Sequence, residues 1–172
     1  MNKIALIGVA AFGVMAAGCQ KKDHDMKEVR INYPAAYVVN GQDASISVIN
    51  LNTNAVSETL KLDSWLTKKL QWPHHIYASP ASNTLAIAVP GSDLSEGHGG
   101  SMSEMKGMIM VMDATKGNLV KEFQLPAMNH NAVFSPDGKE IWTSQMVMQG
   151  KVLVYDATTY ALKNTIAVGM EP

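Results

Sequence analysis

The chain has 172 residues, a formal net charge of −1 and charges of both signs scattered along it, so it holds one domain's worth of residues and no basic footprint for nucleic acid. A single cysteine excludes an internal disulfide, and if it is acylated no thiol remains for a metal site. Twelve methionines are the compositional outlier, concentrated between Met102 and Met148; methionine fills irregular cores and is also a soft ligand for Cu(I), so both uses stay open.

In chain order, the first feature is a short positive start, Asn2-Lys3, followed by an uncharged run from Ile4 to Ala17 that ends in Ala16-Ala17-Gly18-Cys19. A membrane span needs about 20 apolar residues, so this shorter run reads as a signal-peptide core with small residues at its cleavage site. The pattern resembles the bacterial lipoprotein signal, which implies that residues 1–18 are removed and that Cys19 is the lipid attachment residue. The plainer alternative is an ordinary secretory signal with an incidental cysteine. Either way the protein leaves the cytoplasm. Gln20 follows Cys19 with no Asp there, and by analogy with bacterial sorting this points to the periplasmic face of the outer membrane. Residues 19–32 are polar and charged without apolar periodicity, and read as a flexible tether.

From Tyr33 onward the chain repeats itself. Ser45-Ile46-Ser47-Val48-Ile49-Asn50, Gly107-Met108-Ile109-Met110-Val111-Met112-Asp113 and Lys151-Val152-Leu153-Val154-Tyr155-Asp156 are β-prone runs that each end in Asn or Asp. A turn carrying Thr53, Thr115 or Thr158 follows, then a second apolar run. Ser79-Pro80 and Ser135-Pro136-Asp137-Gly138 form a second repeated unit, also flanked by apolar strands; Pro presets φ and Gly accepts positive φ, as a tight turn requires. The unit is therefore strand, Ser-Pro turn, strand, loop, strand, Asx-Thr turn, strand. Four short antiparallel strands at a period of 43 residues (156 − 113) predict an all-β fold of β-propeller blades. The boundaries are a partial blade over 33–62, a blade over 73–125 with an inserted loop at 91–106, a blade over 128–168, and the start of another at 169–172. About three blades do not close a ring, so the chain reads as the front part of a longer propeller, with assembly of copies or a partial ring as the alternatives. A generic β-sandwich is the competing fold.

Tyr37-Val38-Val39-Asn40, Ile46-Ser47-Val48-Ile49-Asn50, Thr53 and Val56 resemble the YVTN-type propeller repeat, as does the junction Val168-Gly169-Met170-Glu171-Pro172. The wider group includes the haem d1 domain of cytochrome cd1 nitrite reductase and the N-terminal propeller of nitrous oxide reductase. The resemblance implies the fold and leaves function open, with haem d1 or copper among the cofactors it allows.

Two constellations could carry chemistry. His74 and His130 each stand five residues before a Ser-Pro turn (79 − 74 and 135 − 130), where the chain enters the innermost strand of a blade. Equivalent placement would bring both imidazoles to the channel mouth as cofactor or metal ligands; the plainer role is a hydrogen bond to a neighbouring blade. His75 has the same alternatives with less support. The inserted loop adds His98, Met102 and Met105, a set suited to copper if the loop folds over that mouth, or a solvated loop otherwise. Met110, Met112, Met146 and Met148 alternate along strands and are assigned to packing between blades. No nucleophile elbow, phosphate loop or Cys-x-x-Cys-His is present, so no catalytic residue is named and an enzyme is disfavoured. The expected protein is a lipid-anchored binding or scaffold module in the cell envelope, its partners the membrane through its anchor and either another protein or further blades; the alternatives are a redox accessory holding haem d1 or copper, or copper capture by His and Met.

Overall fold

A computed structural model describes residues 29–62, 72–94, 106–170 and 172. Cys19, His98, Met102 and Met105 lie outside the described residues, as do the leader and most of the tether and of the inserted loop.

Eleven strands make up the described structure. The first blade holds β1 (Ala35–Asn40), β2 (Ser45–Asn50) and β3 (Ala55–Lys61). The middle blade holds β4 (His75–Ala78), β5 (Thr84–Val89), β6 (Met108–Asp113) and β7 (Leu119–Gln124). The third holds β8 (Val133–Phe134), β9 (Glu140–Gln145), β10 (Lys151–Asp156) and β11 (Leu162–Ala167). Each sheet is an antiparallel meander in sequence order, as the repeat predicts for propeller blades. The Asx turn follows β2, β6 and β10, so β1 corresponds to β5 and β9. Among the described residues the first blade therefore lacks the innermost strand, the counterpart of β4 and β8.

The turns form for reasons visible in the residues. Asp113 Oδ1 accepts from the amides of Thr115 and Lys116 and from the Thr115 hydroxyl, at 2.8, 3.1 and 2.7 Å. Asp156 Oδ1 repeats this with the amides of Thr158 and Thr159 and the Thr159 hydroxyl, at 2.9, 2.8 and 3.1 Å. Asn50 Oδ1 accepts from the Asn52 amide at 2.9 Å. Four residues past each Asx, the backbone turns left-handed, at Asn54 (φ 53°), Gly117 (φ 64°) and Tyr160 (φ 58°). Only glycine adopts that conformation without steric cost.

Strand alternation builds the core between blades. On one face of the middle sheet, Leu85, Ile87, Val89, Met110 and Met112 pack with Ile46, Val48, Leu60 and Leu62 of the first blade. On the other, Ala86, Ala88, Ile109 and Val111 pack with Ile141, Leu153 and Tyr155 of the third. Successive residues of a strand serve opposite faces, so a sheet covered on both sides is apolar along its whole length. Met110, Met112 and Met146 are buried in agreement with a packing role, but Met148 is 65% exposed. Strand β9 ends at Gln145, and the alternation that would have buried Met148 ends with it.

Candidate functional site

The chain enters β4 through Trp72-Pro73-His74-His75. The His74 amide donates to the Ala88 carbonyl at 2.9 Å, extending the ladder in which His75 lies opposite Ala88. Within β4, Ile76 turns to the core shared with the first blade, which leaves His75 and Tyr77 together on the opposite face. Their rings stack at 6.1 Å and 15°.

His130 reaches the same place from the third blade. Fully buried Asn129 bridges to Gln145 of β9, and its Nδ2 donates to Thr143 Oγ1 at 3.3 Å. Thr143 in turn donates to the Asn131 carbonyl at 2.6 Å, and the Met146 amide to the Met128 carbonyl at 2.9 Å. These bonds clamp residues 128–131 against β9 on both sides of His130. Gly107 lies so close to Asn129 that a Cβ there would collide with the Asn129 side chain.

The segments leading into β4 and β8 converge. Ring centroids are 4.5 Å apart for His74 and His130, 4.4 Å for His74 and His75, and 4.9 Å for His75 and His130. One ring nitrogen of each histidine lies within 4.8 Å of those of the other two. His75 Nδ1 lies 3.0 Å from the His130 carbonyl oxygen and 2.6 Å from His74 Nδ1. A carbonyl only accepts, so the proton sits on His75 Nδ1. With the donor there, His74 Nδ1 is left to face the same N–H as an acceptor.

Partial burial lowers the His74 pKa from its ordinary value, and the neighbouring His75 and His130 lower it further, against the opposing pull of Asp93. Neutral imidazole is the form that binds metals.

The site thus joins His74 and His130, the pair matched by their spacing, and adds His75 as a third member. Adjacency to His74 is the only sign of His75 in the sequence, because its role depends on a carbonyl 55 residues away. Neighbouring residues in a strand normally face opposite ways. His74 precedes the first residue of β4 and so is not bound by that alternation.

No protein-family model matches this chain, and no curated protein matches it in sequence. Solved structures do match. Hydrazine synthase of Kuenenia stuttgartiensis is 15% identical with a TM-score of 0.62, over 86% of this chain and 40% of that one. The dihydro-haem d1 dehydrogenase NirN is 13% identical with a TM-score of 0.59, over 85% and 28%. Sqt1 of Saccharomyces cerevisiae is 20% identical with a TM-score of 0.52, over 80% and 30%. These are β-propeller proteins, and at such identities the likeness is one of fold. The chain matches less than half the length of each.

Proposed function

We propose that this chain is an exported, lipid-anchored propeller of the YVTN type that serves as a binding module, with its ligand held where the inner strands of adjacent blades begin. The observation that carries this reading is the convergence of His74, His75 and His130 from two blades on one spot. Fixed polar groups meeting at the end of a rigid scaffold are what a ligand site requires. The anchor is Cys19, and the outer-membrane placement follows from Gln20.

The experiment is native mass spectrometry of the protein isolated from the cell envelope, wild type beside His130→Ala. A retained non-covalent mass on the wild type, lost in the variant, supports the reading. Equal spectra without added mass overturn it. A second reading gives the site a haem d1 partner with His74, the most exposed of the three, as axial ligand. Visible absorbance of the same preparation decides it: a haem band that disappears in His74→Ala is required.

A further inference from the structure

We propose that His74, His75 and His130 form a three-imidazole site for a borderline divalent transition metal, with Cu(II) bound more tightly than Ni(II) or Zn(II). The inference rests on the location proposed above and adds the chemical class of the ligand. The donors are three imidazole nitrogens. Imidazole suits copper, nickel and zinc, whereas hard ions such as Mg(II) take oxygen ligands. For one N-donor site, divalent affinity rises to Cu(II) and falls again at Zn(II).

The geometry supports three-point binding with limited movement. Metal–nitrogen bonds of about 2.0–2.1 Å place tetrahedral donors roughly 3.4 Å apart. The present spacing of up to 4.8 Å must therefore contract, and His74, the exposed ring, turns inward at the cost of its contact with His75 Nδ1. His75 is already oriented. Its Nδ1–H donates to the His130 carbonyl, the kind of outer bond that fixes a ligating histidine's tautomer and leaves Nε2 for a metal. The same backbone carbonyl belongs to the third ligand, so the orienting bond and the ligand set are one unit. Three protein donors leave the fourth position open to solvent or to a small ligand.

The full-length protein, stripped with chelator and dialysed, is titrated calorimetrically with Cu(II), Ni(II), Zn(II) and Mg(II) salts. The expected result is one equivalent of each transition metal at micromolar affinity or tighter, and no Mg(II) heat. His74→Ala, His75→Ala and His130→Ala should each weaken Ni(II) and Zn(II) binding at least tenfold with circular dichroism unchanged. Electron paramagnetic resonance of the Cu(II) adduct should show one imidazole nitrogen coupling fewer in each variant. Absence of transition-metal binding at 100 μM overturns the inference. So does binding that all three variants retain, or binding abolished by His98→Ala while the three variants keep it. Failure here with a persistent His130-dependent mass in the native spectra removes the metal and keeps the ligand location; loss of both removes the location as well.

Discussion

In the middle blade both faces of the sheet pack on a neighbouring blade, whereas among the described residues the third packs on a neighbour only through the face toward the middle blade. Strands β5 and β6 accordingly bury nearly every residue, with Ala86, Ile87, Ala88, Ile109, Met110 and Met112 at 0% exposure. In the third blade Ile141, Leu153 and Tyr155 are buried against the middle one, while at the alternate positions Trp142, Val152 and Ile166 are half-buried and Val154 is buried. The strand plan and the turns are shared; what differs is the number of neighbours. Two adjacent strands buried along nearly their whole length therefore mark a blade held on both sides.

The sharpest test of that contrast is truncation on each side. Ile109→Ala, in the doubly covered sheet, should cost about 2–5 kcal/mol. Ile166→Ala, in β11, should cost about 1 kcal/mol, in keeping with partial burial. Urea denaturation of the two variants measures both, and equal midpoints would break the comparison.

A smaller effect is expected where the two blades touch through their Ser-Pro turns. Gly138 has φ of 68°, and a Cβ there would lie 2.5 Å from Ala81 Cβ and 3.3 Å from Ser79 Oγ. The left-handed backbone alone makes Gly138→Ala cost about 1–2 kcal/mol, and the contact with the middle blade adds to it. Gly117→Ala has the same backbone cost, but its Cβ would meet only the end of the Leu60 side chain, at 3.0 Å, which can shift. Thermal melts should thus rank Gly138→Ala below Gly117→Ala.

The smallest effect is on pH dependence, and it should be alike in the two blades. Burial raises the Asp113 pKa, but the Thr115 hydroxyl, the Thr115 and Lys116 amides and the Lys116 charge outweigh it and hold the carboxyl below its ordinary range. The amides of Thr159 and Thr158 and the Thr159 hydroxyl do the same for Asp156. A carboxyl with a lowered folded pKa is protonated first in the unfolded chain. The stability it contributes is present above about pH 4 and is lost as pH falls toward the folded value. Asp113→Asn and Asp156→Asn, which keep the accepting oxygen, should each flatten the acid limb of stability against pH. A flattening confined to one of them would show that the two turns are not equivalent.

Much of this architecture is legible in the residues. The Asx at 50, 113 and 156 and the Ser-Pro pairs at 79 and 135 mark turns through local chemistry, and local chemistry survives folding. The pairing of His74 with His130 is readable because equal spacing from a shared turn becomes equal position in a blade. The inclusion of His75 is not, since it depends on a backbone oxygen across the seam between blades. Nor is the left-handed Tyr160, whose side chain does not announce a backbone that Gly117 and, less easily, Asn54 accept. Met148 departs from its expected burial because alternation says which face a residue takes and not where a strand stops.

The imidazoles that meet at the end of β4 belong to two separate sheets joined there through the bond from His75 to the backbone at position 130. A ligand spanning those rings, as proposed above, would act as a strut across the joint, and its affinity would become resistance to the two sheets hinging apart. Occupancy and the angle between neighbouring sheets are then a single variable, so any force that splays them would also loosen the occupant's hold.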